Sequence, residues 1–103
     1  MPYSDSVAKV LNKYYYFVVI YASFNFRGEF VDVSTLGVPN DLKEAFQFIE
    51  LTFGGDEILY EDYNEGRLES REGFPVRKTL YKCTVQDNLG YTHHIKIDAI
   101  HKS

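Results

Sequence analysis

The sequence predicts one α+β domain over residues 1–103, with an antiparallel sheet of four to five strands, one main helix and a short N-terminal helix. Two segments carry apolar residues at helical spacing, and five carry the alternation or the β-branched and aromatic residues typical of strands. Taken along the chain, these segments give the order α-β-β-α-β-β-β. Because 45% of the residues are hydrophobic and no linker divides the chain, one folded core is expected.

The short N-terminal helix is predicted to run from Ser4 to Lys13. Apolar residues recur along it at helical spacing, at Val7, Val10, Leu11 and Tyr14. The first residues, Ser4, Asp5 and Ser6, have side chains that can cap backbone amides.

The main helix is predicted to begin at Asp41, which is followed three residues later by Glu44, as in a capping box. The next apolar residues share one face of this helix, and they are Leu42, Ala45, Phe46, Ile49 and Phe53. Gly54 and Gly55 follow, and a glycine in the left-handed conformation is expected to end the helix there.

Two hairpins are predicted, one on each side of the main helix. Residues 14–35 form the first, with Gly28 in its turn, and the segments VRKTLYKCTVQD and YTHHIKIDAI form the second around DNLG. EILYEDY is a further candidate strand before a polar loop. Alternation in the second hairpin predicts one wet face, which includes Leu80, Lys96 and Asp98.

The first strand is apolar or aromatic on both of its faces, in the run from Tyr14 to Ala22. A strand of this kind needs cover on both sides. Either the two helices lie on opposite faces of the sheet, or both cover one face and a second copy of the protein covers the other as a homodimer. The sequence leaves both arrangements open.

The segment from Asp56 to Glu72 is the most acidic part of the chain. It holds seven acids and two bases, which gives it a net charge of −5. The whole chain has a net charge of −4, so the rest of the chain has a net charge of +1. Tyrosines are interleaved with these acids, a composition suited to a protein interface that steers a basic partner. The residues predicted to bind the partner are Glu57, Tyr60, Glu61, Asp62, Tyr63, Glu65, Glu69 and Glu72.

This acidic surface predicts a small non-enzymatic protein-interaction module. Carboxylates along a strand edge can imitate the phosphates of nucleic acid, so the module could occupy the basic site of a nucleic-acid-handling protein, as inhibitors carried by viruses or mobile elements do. The alternative is that the acids only solvate an edge strand and keep it from aggregating.

A second hypothesis is a small-molecule or nucleotide-binding module with an aromatic pocket, which two subunits could share. Nine tyrosines and eight phenylalanines are many for 103 residues, and aromatic rings can stack on a planar ligand. Arg77, Lys78 or Lys96 could then meet a phosphate.

Catalytic and metal chemistry find little support in the sequence, and we expect no catalytic residue, metal or cofactor. His93 and His94 are adjacent on a strand and so point to opposite faces, which prevents both from ligating one ion. Cys83 alternates with core residues, which favours packing over nucleophilic attack on a substrate with His93 as the base. No phosphate-binding glycine motif occurs.

The compartment and the partner class follow from charge and cysteine content. A single cysteine and no apolar signal segment predict a cytoplasmic protein. The longest apolar run, about nine residues, is too short for a membrane helix. With a pI near 5.3, the chain is expected to bind a basic protein surface and no nucleic acid directly.

Overall fold

The computed structural model describes residues 3–64 and 77–102. It contains two helices and five strands in the predicted order. They are α1 (Asp5–Tyr14), β1 (Tyr15–Phe24), β2 (Phe30–Gly37), α2 (Leu42–Phe53), β3 (Glu57–Tyr63), β4 (Arg77–Gln86) and β5 (Thr92–His101). The predicted fold class, α+β with an antiparallel sheet, is confirmed.

The five strands form one antiparallel sheet in the spatial order β2-β1-β5-β4-β3. β5 therefore lies at the centre, between β1 and β4, and the strand that carries the predicted acidic surface, β3, lies at one edge. The hairpin turns use Gly28 and Gly90 in left-handed conformations, with φ of 80° and 83°. These values suit glycine because it has no Cβ.

Both helices cover the same face of the sheet. Tyr15, Phe17 and Val19 of β1 alternate onto this face and are at most 2% exposed. α2 packs its Phe53 ring on Tyr21 and its Phe46 ring on Tyr81, at centroid distances of 5.5 and 5.1 Å. From α1, Leu11 joins the same core and is fully buried. The two helices therefore lie on a single face, as in the second predicted arrangement, whereas the second copy in that arrangement stays a prediction.

The other face of the sheet, called here the open face, carries neither of the two helices formed by the described residues. From β1 it carries side chains of even-numbered residues, Tyr16, Val18, Ile20, Ala22 and Phe24. Tyr16 is 61% exposed, and Val33 of β2, which is paired with Ala22, is 57% exposed. An antiparallel sheet with one solvated face is usually polar on that face. The apolar side chains that β1 and β2 place on the open face are typical of a surface that binds a partner or a ligand.

The two ends of α2 differ in detail from the prediction. Asp41 caps the helix as expected, and its Oδ1 accepts the Glu44 N–H at 2.8 Å. Glu44, however, accepts the N–H of Asn40 at 3.1 Å in place of that of Asp41. The prediction of a left-handed glycine at the end of α2 is wrong, because Gly54 has φ −63° and continues the helical conformation. A Cβ at Gly54 would clash with the Glu50 carbonyl, so the position requires glycine for steric reasons.

The predicted wet face of the second hairpin is wrong at two residues. Leu80 is fully buried because a bulge between Thr79 and Tyr81 shifts the alternation of β4. Asp98 lies on the open face as expected but is only 1% exposed, because Arg77, Thr79 and Lys96 surround its carboxylate. Simple alternation cannot anticipate either an inserted residue or a buried charge cluster.

Within residues 3–64 and 77–102, neither helix has the length and apolar character needed to cross a membrane.

Candidate functional site

The predicted partner-binding residues divide between the two faces of the sheet. Glu57, Tyr60 and Asp62 pair with Gln86, Thr84 and Lys82 of β4 and lie on the open face. Glu61 and Tyr63 pair with Cys83 and Tyr81 and lie on the helix-covered face. Glu65, Glu69 and Glu72 fall outside the described residues. The structure thus separates the adjacent acids Glu61 and Asp62.

A groove of about 400 Å³ runs between α2 and the β3 edge, and we call it the edge groove. It exists because α2 packs over β1 and does not extend across the helix-side surface of β3. Its apolar lining comes from both elements and includes Phe46, Ile49 and Phe53 of α2 and Ile58 and Val85 of the sheet. A groove of this size, with an apolar lining and a few polar groups, has the character of a binding site.

Glu61 is the polar centre of the edge groove. Its Oε1 accepts hydrogen bonds from the Tyr81 hydroxyl at 2.8 Å and the Tyr63 hydroxyl at 3.2 Å. The two tyrosine rings lie 4.8 Å apart and are tilted by 38°. In the described part of the chain, Oε2 of Glu61 has no hydrogen-bond partner, and no lysine or arginine nitrogen lies within 4.0 Å of the carboxylate. One carboxylate oxygen is therefore open to a ligand.

Both phenols are protonated donors at neutral pH, since the ordinary pKa of tyrosine is about 10, and burial raises both pKa values further. The pKa of Tyr81 lies far above its usual range, first through burial and then through neighbouring Cys83 and Glu61. The pKa of Tyr63 is raised by burial and by the Glu61 charge. Two neutral hydroxyls thus hold the carboxylate in place, and hydrogen bonds to an ionised acceptor are about twice as strong as neutral ones.

The rest of the groove rim is also acidic. Glu50 and Asp56 line it together with Glu61, and Lys43 is the one basic lining residue among those described. With aromatic rings beside a fixed carboxylate, the groove can hold a cation by both ionic and cation–π attraction.

A second cluster joins Ser23, His93 and Asp87 in a hydrogen-bonded chain. Nδ1 of His93 lies 2.7 Å from the Ser23 hydroxyl, and Nε2 lies 3.0 Å from Oδ2 of Asp87. The hydrogen bond from His93 is the main cause that lowers the pKa of Asp87. No local sequence pattern indicates this hydrogen-bonded chain, because its members lie on β1, β5 and the turn between β4 and β5.

The geometry of this chain favours a structural role. Ser23 is 6% exposed, and it lines neither the edge groove nor the apolar open face. Asp87 also accepts the backbone N–H groups of Leu89 and Tyr91, so the chain fastens the β4–β5 turn to β1. A serine nucleophile must lie where a substrate can reach its hydroxyl, and the buried Ser23 does not.

Replacing Ser23 with alanine is therefore expected to lower the free energy of unfolding by about 1 kcal/mol, since a half-buried imidazole loses its hydrogen-bond partner. Urea unfolding measures this change. Covalent labelling of wild-type Ser23 by a fluorophosphonate, detected by mass spectrometry, would contradict the structural role.

The remaining residues considered for chemistry are separated by the fold. His93 lies on the helix-covered face beside Phe53, whereas His94 lies on the open face and contacts Thr84 and Phe24, as the strand period predicts. Burial raises the pKa of the Cys83 thiol, which disfavours the thiolate. Across the described ranges, no three His, Cys, Asp or Glu side chains are grouped so that they could hold a metal ion.

Comparison of the chain with protein-family models, with curated proteins and with solved structures gave no match.

Proposed function

We propose that this protein acts by binding a protein partner, and that the edge groove receives an arginine or lysine side chain of that partner. The observation that carries the proposal is the Glu61 carboxylate, which two tyrosine hydroxyls hold at the groove while one oxygen stays open. A basic side chain placed there gains a charge-assisted hydrogen bond and contact with the rings of Tyr63 and Tyr81.

The partner class follows from this chemistry and from the charge of β3. A protein that handles nucleic acid exposes basic side chains, and acids displayed along a strand edge can take the place of phosphates. We therefore propose a non-enzymatic inhibitor, of the kind that viruses and mobile elements carry, acting on such a protein in the cytoplasm. The exposed apolar residues next to the acids, Ile58, Leu59 and Tyr60, are each at least 50% exposed and add contact area.

The test uses two adjacent acids on opposite faces as a matched pair. Glu61→Gln and Asp62→Asn remove the same charge from the same strand, but only Glu61 lines the edge groove. The probe is acetyl-arginine methylamide, titrated into labelled protein and followed by NMR, with the citrulline analogue as its neutral isostere. We expect arginine, and not citrulline, to shift the resonances of Tyr63 and Tyr81.

Glu61→Gln is expected to weaken arginine binding at least tenfold, which corresponds to about 1.4 kcal/mol, while Asp62→Asn leaves it within twofold. A partner captured from a lysate should show the same dependence on Glu61 and should dissociate as salt is raised. Equal effects of the two substitutions, or equal binding of citrulline, would show that the groove is not a cation site.

A further inference from the structure

The open face contains a hollow of about 390 Å³ that is separate from the edge groove. Ile20 and Ala22 of β1 and Val33 of β2 form its apolar side, and Tyr60 of β3 lines it from the opposite edge of the sheet. Val33 and Tyr60 are 57% and 50% exposed. Its volume lies within the range of about 300 to 1,000 Å³ found for small-molecule sites.

Two lysines face each other across the middle of this hollow. Lys82 of β4 is the direct cross-strand partner of Lys96 of β5, and both line the hollow. Like charges directly opposite in a sheet destabilise it. An anion between the two ammonium groups would reverse the sign of this interaction.

The neighbouring acids leave this pair short of negative charge. Lys96 lies 3.3 Å from Asp98, but the same carboxylate oxygen already accepts two hydrogen bonds from Arg77. Asp62 is opposite Lys82 in the sheet register, yet no ion pair within 4.0 Å joins them. Among the residues that the structure describes, Lys82 has no ion-pair partner.

Thr84 and His94 add polar groups beside the lysines. The Thr84 hydroxyl lies 2.9 Å from Nδ1 of His94, and the Phe24 ring packs edge-on against the imidazole at 5.2 Å. These contacts fix the histidine at the border between the basic and apolar parts of the hollow. The hollow thus pairs basic groups on β4 and β5 with an apolar surface on β1 and β2.

We propose that this hollow binds a small organic phosphate, the class that includes nucleoside monophosphates. The phosphate lies between Lys82 and Lys96, since lysine binds phosphate as a point charge. The planar body of the ligand lies on Ile20, Ala22 and Val33, on the β1 and β2 side of the two lysines. This site is independent of the edge groove and lies on the opposite face of the sheet.

The experiment titrates labelled protein with AMP and with phenyl phosphate, and follows backbone amides by NMR at low salt. Adenosine, which lacks the phosphate, and inorganic phosphate, which lacks the planar body, are the comparison probes. We expect saturable shifts at Lys82, Thr84, His94 and Lys96 with AMP or phenyl phosphate, and at least tenfold weaker binding of both comparison probes.

Lys82→Gln is expected to weaken binding of the organic phosphate at least tenfold. Lys9→Gln, an equal charge change on the exposed surface of α1, should leave the affinity unchanged. Glu61→Gln should also leave it unchanged, which keeps the test independent of the edge groove.

Three results would overturn the proposal. The first is that neither organic phosphate binds more tightly than inorganic phosphate, and the second is that Lys82→Gln and Lys9→Gln have equal effects. The third is a dimer, detected by sedimentation at the working concentration, in which a second copy of the chain covers the open face and excludes both organic phosphates.

Discussion

Replacing Phe17 with alanine is expected to lower the free energy of unfolding by about 3 to 5 kcal/mol. Phe17 is 2% exposed and lies under the helices with Val19 and Leu11 in the core. Truncating a buried aromatic side chain loses its transfer free energy and leaves a cavity that neighbouring atoms fill only in part. Urea unfolding monitored by circular dichroism gives the difference, provided that the m-value is unchanged.

Tyr16 is the matched control for Phe17, because it precedes it on β1 and points to the open face. It is 61% exposed, and its described contact is with the Lys102 ammonium, 5.0 Å from the ring centroid. Tyr16→Ala is therefore expected to cost less than about 1 kcal/mol. Equal costs for the two substitutions would mean that the open face is covered in solution.

The comparison of Phe17 with Tyr16 also shows what the sequence could not decide. Both faces of β1 are apolar or aromatic, so periodicity alone cannot choose the face that the helices cover. The choice depends on long-range packing, in which Phe46 and Phe53 of α2 contact tyrosines on β4 and β1. The helices and strands themselves were predictable because local periodicity, caps and turn glycines carry that information.

For a related reason, the sequence could predict the acidic residues of β3 but not how they divide between the two faces of the sheet. Net charge along a segment does not say which side chains share a face. A bulge between Ile58 and Tyr60 moves Glu57 onto the same face as Asp62, which is the face opposite to that of Glu61. Alternation would have placed Glu57 with Glu61. Tyr81, whose hydroxyl is the nearer of the two donors to Glu61, lies 20 residues further along the chain, beyond the reach of any local pattern.

The largest effect of a single charge is expected at Arg77. Asp98 is 1% exposed, and Arg77 donates to its Oδ2 from Nε at 3.0 Å and from Nη2 at 2.6 Å. Arg77→Met leaves this buried carboxylate with only Thr79 and Lys96. We expect the free energy of unfolding to fall by about 2 to 3 kcal/mol, because the buried carboxylate loses two charge-assisted hydrogen bonds and keeps Lys96 as its charged partner.

The double variant Arg77→Met with Asp98→Leu is the control for this charge effect. Removing both charges is often neutral or stabilising, so the double variant should be more stable than Arg77→Met alone. If the double variant is instead the less stable of the two, the effect of Arg77 comes from the packing of its side chain and not from its charge. Chemical unfolding at neutral pH decides between the two causes.

The pH dependence of this difference identifies Asp98 as its source. Burial acts to raise the pKa of Asp98, but the hydrogen bonds from Arg77 and Thr79 and the charge of Lys96 lower it overall below 3.8. Its contribution to stability is therefore fully present above the unfolded pKa, about 3.9, and is lost as the pH falls through the folded value. In Arg77→Met, burial acts with less opposition and raises the folded pKa, so protonation relieves the penalty. The stability gap between wild type and Arg77→Met should thus be largest near neutral pH and shrink as the pH falls through the folded pKa of Asp98 in the variant toward the lower folded pKa in wild type, whereas a gap independent of pH would assign it to packing alone.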